Sequence, residues 1–431
     1  MLWLYRLLFV PLLLVLAPAY LRRMWRRGGY RENFSQRFGA TVRLPAKSSA
    51  VKRIWLQAVS VGEMMAIGPL LAEWARTGEA EVYLTTTTST GYRIALDRYS
   101  GLAIGIGYFP MDWWPFSRRA WRAVDPDLVI LTEGERWPEH IHQAQARGVP
   151  VLCINARLSD RSYRRMRRMR FVARPLLDGI TRLLPCSAQD EARFRELGVP
   201  AERLTTTGNI KLDLTIPPLS DAERAALRGE LGLGEGLVLL GASTWPGEEE
   251  VLLRAWKQAR AAGLACSLLL VPRHAERRLE LERWLRGAEV RHHFRSRGAA
   301  PGPVDVAIGD TTGELRKLLQ LADVVFVGKS LPPHEGGQTP VEAAALGKPI
   351  VFGPAMSNFR TIAGELIARR AAHEVQDADE LVTSLLVLLQ DDPQRAAFAA
   401  AARAWQRDNA GAVGRTLAIV REELARIHSE A

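Results

Sequence analysis

Short apolar runs recur along this chain, separated by stretches in which apolar residues return every three or four positions. Runs at residues 54–58, 82–86, 102–107, 128–131, 151–154 and 180–185 predict six strands. Runs at 237–241, 267–271, 304–308, 324–327 and 350–352 predict five more. The amphipathic intervals, such as 63–76, 135–147, 248–262, 275–286 and 314–321, predict helices, and the chain reads as helical from about residue 377 onward. Unbroken apolar runs suit strands covered on both faces, and alternation of strand with helix suits parallel sheets. The pattern breaks at Pro217-Pro218, inside a polar stretch that reads as a linker. The predicted class is therefore α/β, with two Rossmann-like domains facing a cleft. Their expected bounds are 41–216 and 217–431, behind an N-terminal segment of residues 1–40. In such sheets ligands bind beyond the carboxyl ends of the strands.

Residues 2–20 are almost wholly apolar, with Arg6 the only charge, and Arg22, Arg23, Arg26 and Arg27 follow at once. A full span needs about 20 apolar residues, and Pro11 and Pro18 weaken this one. Ala17-Pro-Ala19 loosely resembles a leader-peptidase site, but a dense Arg cluster stays on the cytoplasmic side and argues against export. The expectation is membrane attachment, as a single-span anchor or a helix sunk into one leaflet; a buried core helix is the remaining alternative.

At 431 residues with 47% hydrophobic content, the chain can bury two cores. Its three cysteines, Cys153, Cys186 and Cys266, lack metal-ligand spacing and read as buried free thiols of a reducing compartment. The net charge of +11 favours anionic partners. It is concentrated at residues 1–40, with seven Arg against one acidic residue, and at residues 161–174, with seven more Arg. The second run surrounds an apolar stripe of Tyr163, Met166 and Met169. It reads as a solvated basic face or, beside a membrane segment, as a surface for anionic headgroups. No nucleic-acid module or interleaved aromatic stripe accompanies it, so nucleic acid is not expected as a partner.

Candidate chemistry gathers at predicted strand ends. After the first strand, Ser60-Val-Gly62-Glu63 places a carboxylate near a helix start, where the dipole favours negative charge. There it can take a proton from a hydroxyl, or simply cap the helix. Thr85–Thr88, Ser89, Thr90 and Gly91 form a hydroxyl-rich turn. Thr132-Glu133-Gly-Glu135-Arg136-Trp137-Pro138 sets two carboxylates close together, a cost usually kept for a site. Asn155-Ala-Arg157-Leu-Ser159-Asp160 follows the fifth strand. In the second half, Ser243-Thr244-Trp245 and Arg273-His274 stand at strand ends, where cations can meet a phosphate. Glu335-Gly336-Gly337-Gln338-Thr339-Pro340-Val-Glu342 follows the strand at 324–327. Its glycines permit a tight turn, its helix start can hold a phosphate, and Glu342 can reach sugar hydroxyls. Asp125-Pro-Asp127 has only a weak likeness to an acidic metal motif, and His140 and His142 diverge on a helix; no metal site is expected.

In this order these pieces resemble the Kdo (3-deoxy-D-manno-octulosonic acid) transferase family of lipid A biosynthesis. Further matching pieces are Tyr30-Arg-Glu with Arg37-Phe-Gly39, Gly208-Asn-Ile-Lys211, Gly309-Asp310-Thr-Thr-Gly313-Glu314-Leu315 and Phe352-Gly-Pro354. The resemblance implies a GT-B glycosyltransferase that uses CMP-Kdo without a metal or other cofactor and inverts the anomeric centre. It implies Glu63 as general base. It implies Ser60, Gly62, Glu133, Glu135 and Arg157 on the acceptor side. Lys211, Ser243, Thr244, Arg273, His274, Gly336, Gly337 and Glu342 would hold the donor. The implied acceptor is a lipid A precursor (lipid IVA), met at the cytoplasmic face of the bacterial inner membrane. The chain departs from the family at Gly134, Arg136, Trp245, Gln338 and Thr339; the family usually has His at Trp245 and His-Asn at Gln338-Thr339. The alternatives are a GT-B enzyme with another nucleotide sugar or acceptor, a sugar-nucleotide epimerase, and a non-catalytic membrane-tethered anion binder.

Overall fold

The structure, a computed structural model, describes residues 2–27, 33–48 and 50–429, without the side chains at 12, 16, 19–27, 428 and 429. Tyr30, Arg31 and Glu32, and the side chains of the Arg22–Arg27 cluster, lie outside the described residues. The chain forms two compact units: Met1–Asp213 with Gly411–Ala431, and Leu214–Ala410.

The first unit is built on six parallel strands: β1 (Lys52–Gln57), β2 (Ala80–Thr86), β3 (Gly105–Tyr108), β4 (Leu128–Thr132), β5 (Val151–Ala156) and β6 (Arg182–Pro185). Their order is β3-β2-β1-β4-β5-β6, with Ile54 beside both Val82 and Leu128. Strand order reverses between β1 and β4, the point where a doubly wound sheet opens a crevice at its carboxyl edge. The second unit has seven parallel strands: β7 (Leu237–Thr244), β8 (Cys266–Pro272), β9 (His292–Phe294), β10 (Val306–Ile308), β11 (Val324–Val327), β12 (Ile350–Phe352) and β13 (Ala372–Glu374). Their order is β13-β12-β11-β7-β8-β10-β9, which reverses between β7 and β11. Both sheets are covered on two faces, and residues such as Ile54, Leu56, Leu268 and Phe326 are wholly buried.

All eleven expected strands are present. β9 and β13 were not expected: each is a three-residue edge strand, and His292, His293 and His373 break any apolar run. The helix expected over 63–76 is two helices, Val61–Ala66 and Gly68–Thr77, because Pro69 forces a new start. The helix expected over 135–147 begins only at Pro138, since residues 133–137 form a loop.

The second expected domain ran to residue 431, but the last helix, Ala412–Ser429, packs with the first unit. Asp213 accepts the N–H groups of Gly411 and Val413, at 2.9 and 2.6 Å, and so opens that helix. Leu417, Val420 and Leu424 then enter the first unit's core. Its buried Glu423 meets Arg182 of β6 at 3.2 Å. No pattern in the helix itself shows which core takes its apolar face.

The N-terminal helix, Leu2–Arg27, contains Pro11 and Pro18, and no helix among the described residues is long and apolar enough to cross a membrane. Its first turns dock on the first unit. Arg6 forms a two-point ion pair with the buried Glu139, at 2.8 and 2.9 Å, and Tyr5 donates to Asp112 at 2.8 Å. Its other side leaves Trp3, Leu4, Leu7, Leu14 and Val15 exposed, Trp3 at 79%.

His140 is buried against Trp55, with 4.6 Å between ring centroids, and its Nδ1 accepts the Trp121 indole N–H at 3.0 Å. Burial pushes its pKa down to about 3. The unfolded chain therefore binds the extra proton between pH 6.5 and 3. The His140 contribution to stability is complete above pH 6.5 and is lost as pH falls, by up to about 1.4 kcal/mol per pH unit. Asp112, raised by burial to about 6, acts in the opposite sense, losing stability as pH rises toward 6. On going from pH 7 to pH 5, His140→Phe should lose less stability than the wild type, or gain it through Asp112; an equal change in midpoint would remove His140 as a source.

Candidate active site

In the first unit the loops after β1 and β4 meet at one carboxylate. Ser60 caps helix Val61–Ala66, its Oγ accepting the Glu63 N–H at 3.2 Å and donating to Glu63 Oε1 at 2.7 Å. Glu63 Oε2 accepts the Val59 N–H at 2.9 Å and the Thr132 hydroxyl at 2.5 Å. Glu63 is thus a helix-start residue, as the simpler sequence reading had it, and also the tie between two crevice loops. Two of these partners are hydroxyl groups, which can exchange for a substrate hydroxyl.

Glu133 and Asn155 both adopt left-handed backbone, φ 51°, which turns the loops after β4 and β5 toward each other. Asn155 donates to Glu133 Oε1 at 3.3 Å and accepts the Ile210 N–H at 3.1 Å. That second bond brings in Lys211, whose ammonium pairs with Glu133. A Cβ on Gly62 would stand 3.5 Å from the Lys211 ammonium. The family likeness gave Lys211 to the donor; in the structure it lies in the first unit, within the expected bounds, beside Gly62 and Glu133. Glu135 accepts the Trp137 indole N–H at 2.6 Å, and burial, with the nearby Glu63 charge, raises its pKa to about 7. Arg157 is half-buried with no ion pair among the described residues. Arg136 lies over the Phe194 ring, 5.4 Å from its centroid; its Nε and Nη2 are buried without partners, and burial lowers its pKa.

The second unit repeats the arrangement with different chemistry. Glu248 opens helix Glu248–Ala261 after β7 and is buried. It accepts the Trp245 N–H, at 2.9 Å, and from the loop after β11 those of Lys329, Ser330 and Leu331, at 2.9, 3.0 and 3.3 Å. Burial raises its pKa, and these four N–H groups pull against that shift. Ser243, φ 54°, sits at an irregularity of β7, and Thr244 carbonyl accepts the Arg273 N–H at 3.1 Å. The Arg273 side chain is exposed and without an ion pair among the described residues. His274 stands edge-on to Trp245, at 5.2 Å. Gly336 and Gly337 have φ of 99° and 69°, and a Cβ on either would come within 2.5 Å of Asn358 or Met356. Glu342 lies in the short helix Val341–Ala345; Arg316 is 3.7 Å from its Oε1, and its Oε2 is buried with no partner.

The carboxylates of other motifs are engaged by neighbouring side chains and backbone. Asp127 accepts the Arg53 N–H at 2.8 Å and pairs with Lys47. Asp310 accepts from Ser296 and Arg278, and Glu314 from Arg295. Among the described residues no three His, Cys, Asp or Glu side chains gather as a metal ion requires. Burial lifts the Cys153 thiol to about 12 and the Cys266 thiol to about 11.

The family model for 3-deoxy-D-manno-octulosonic-acid transferase (kdotransferase) matches residues 32–214, which hold the whole Glu63 group. A 3-deoxy-D-manno-octulosonic acid transferase of Bordetella pertussis is 37% identical over 418 residues, covering 93% of this chain and 95% of its own. The chain belongs to the 3-deoxy-D-manno-octulosonic acid transferase family. A relative of the same description from Haemophilus influenzae is 32% identical over 97% of this chain and 96% of its own. Among solved structures, the Neisseria meningitidis UDP-GlcNAc 2-epimerase bound to UDP-GlcNAc aligns with TM-score 0.53, at 13% identity, over 87% of this chain and all (100%) of its own. HepE of Anabaena in complex with UDP aligns with TM-score 0.52, at 16% identity, over 86% of this chain and 99% of its own. At those identities the likeness is one of fold: two Rossmann-like units of the GT-B class.

As a Kdo transferase, the chain holds candidate positions that the motifs alone did not single out. Thr132, Glu248 and Lys329 sit at the two reversal points. Thr132 and Glu248 were visible only as neighbours of other motif residues, and Lys329 only as a cation after a buried strand. Glu248 and Glu63 should respond differently to an isosteric amide. Glu248→Gln turns an NH2 group toward fixed backbone donors and should cost roughly 3 kcal/mol. Glu63→Gln faces a Ser60 hydroxyl that can rotate and accept, and should cost under about 1 kcal/mol. Thermal midpoints of the two variants test this; equal losses would contradict it.

Proposed function

We propose that this Kdo transferase moves Kdo from CMP-Kdo to a lipid A precursor (lipid IVA) at the cytoplasmic face of the inner membrane, without a metal and with inversion. The observation that carries the proposal is the Glu63 carboxylate at the β1/β4 reversal point, held by groups that a substrate hydroxyl can replace. The acceptor hydroxyl takes the place of the Thr132 or Ser60 donor and gives its proton to Glu63 as its oxygen attacks the anomeric carbon. The bond from that carbon to the CMP phosphate oxygen breaks, and the phosphate keeps the electron pair. Attack opposite the leaving group inverts the centre. Glu133, with Lys211, and Glu135 shape the acceptor side together with Ser60, Gly62 and Arg157.

The leaving phosphate needs compensation where its charge develops. The exposed Arg273 and the backbone around Ser243, Thr244, Gly336 and Gly337 supply it; His274 lines the same loops. Glu342, with one buried carboxylate oxygen lacking a partner, is fitted to take hydroxyl groups of the donor. These cations and N–H groups do the electrostatic work that a metal does in other transferases.

Membrane attachment rests on charge and exposure together. The N-terminal helix exposes an apolar side. Helix Asp160–Arg168 buries no residue, its Arg side chains are exposed, and Phe171 beyond it is 71% exposed. Such a surface lies in one leaflet and meets anionic headgroups. The solved UDP-GlcNAc epimerase shares the fold, which favours a second reading with another nucleotide sugar; the Glu63 group and the family favour transfer.

The test is a Glu63→Gln variant assayed for Kdo transfer by mass spectrometry of the acceptor and, separately, for CMP-Kdo binding. Transfer should fall at least about 1,000-fold with donor affinity within about twofold; retained turnover would remove Glu63 from the role. The pH profile of kcat/KM should carry an ionisation near 7, the value to which Glu135 is raised, and Glu135→Gln should lose it. An unchanged profile would show that Glu135 does not act on the reacting centre.

A further inference from the structure

Lys329 stands one residue past Gly328 on the loop after β11, with φ 58°. Left-handed backbone suits glycine, and a Lys held there is strained. Its backbone is fixed from both sides: the N–H donates to Glu248 at 2.9 Å, and the carbonyl accepts the Gly337 N–H at 3.1 Å. Its side chain is therefore launched from a rigid point between the two donor loops.

The ammonium lies over the Trp245 ring, 4.7 Å from the centroid, and has no carboxylate within ion-pair distance among the described residues. Trp245 is itself packed between His274 and His334, at 5.2 and 5.5 Å. Its Nε1–H is buried without an acceptor, so rings and a cation hold the indole in place of a hydrogen bond. His334 Nε2 lies 2.7 Å from the Pro246 carbonyl, which can only accept, so that nitrogen carries the proton and closes the loop around the indole. The result is a positioned cation on an aromatic platform, with Ser243, Arg273 and the Gly336-Gly337 turn on neighbouring loops. An ammonium placed on a π face keeps its charge available to an anion.

We propose that Lys329, posed on Trp245, recognises an anionic oxygen of the activated sugar, on the phosphate or on the sugar-acid carboxylate. The inference rests on the CMP-Kdo reading above. Trp245 acts as a positioning residue for the cation.

The experiment measures Kd of full-length wild type, Lys329→Gly, Lys329→Met and Trp245→Phe for CMP and for CMP-Kdo, with thermal midpoints alongside. Gly suits the left-handed backbone, so Lys329→Gly should keep or raise the midpoint. Both Lys329 variants should bind CMP-Kdo roughly 10- to 100-fold more weakly, the size of a lost charge-assisted contact. Equal weakening toward CMP assigns the phosphate; unchanged CMP binding assigns the carboxylate. Trp245→Phe keeps a ring face and should lose less than either. Unchanged CMP-Kdo affinity in both folded Lys329 variants overturns the proposal. So does a loss confined to Lys329→Gly, which would reflect packing and not charge. A wild type that binds neither compound overturns the donor reading first, and this inference with it.

Discussion

At the reversal point of each sheet, one buried carboxylate joins the loop after the first strand to the loop after its neighbour. Parallel strands bury both faces of a sheet, so polar side chains can act only at the strand ends, and a crevice forms only where neighbouring loops diverge. Diverging loops have no ladder to hold them. Glu63 supplies that hold in the first unit, through Val59, Ser60 and Thr132. Glu248 supplies it in the second, through Trp245, Lys329, Ser330 and Leu331. Each occupies the start of the helix that follows the first strand of its unit.

The two ties differ in what donates, and the difference assigns their work. Glu248 faces four backbone N–H groups that cannot turn away, so its oxygens are held as acceptors and fix the loops. Glu63 faces two hydroxyl groups and one N–H. Hydroxyls rotate and can be replaced by a substrate hydroxyl, which leaves the carboxylate free to receive a proton. On the proposed reading, the same position serves as a scaffold in one unit and as the proton acceptor in the other. The neighbours reinforce the division. Around Glu63 lie Glu133 with its Lys211 partner and Glu135, a carboxylate-rich site suited to hydroxyl groups. Around Glu248 lie Arg273 and Lys329, with no carboxylate partner among the described residues, a site suited to a nucleotide.

The sheets were legible because continuous apolar runs leave little choice of environment: 324–327 and 350–352 match β11 and β12 residue for residue. The edge strands β9 and β13 were not, since a three-residue strand is defined by its neighbour and not by its own composition. The helix expected over 63–76 failed at a point that chemistry marked, Pro69. The last helix illustrates a further limit: an amphipathic pattern shows that a face will be buried but not where. The same holds within the site. Ser60, Glu63, Glu133 and Glu135 could be picked out because polar groups at strand ends are costly unless used. Lys211 was given to the donor by family likeness alone; its place beside Glu133 follows from the Asn155 bond to Ile210, which no sequence pattern shows. Nothing in the sequence sets Glu248 apart from Glu249 and Glu250; only three-dimensional contact shows that it grips a loop some eighty residues away.

The central claim is that the donor is held by the second unit's loops and the proton acceptor stands in the first. Backbone hydrogen exchange of the full-length protein with and without CMP tests it most directly. The account predicts slowed exchange at residues 242–249, 271–274 and 328–342, with residues 58–63 and 132–137 unchanged. Slowed exchange confined to the loops around Glu63 would place the nucleotide in the first unit and contradict the account.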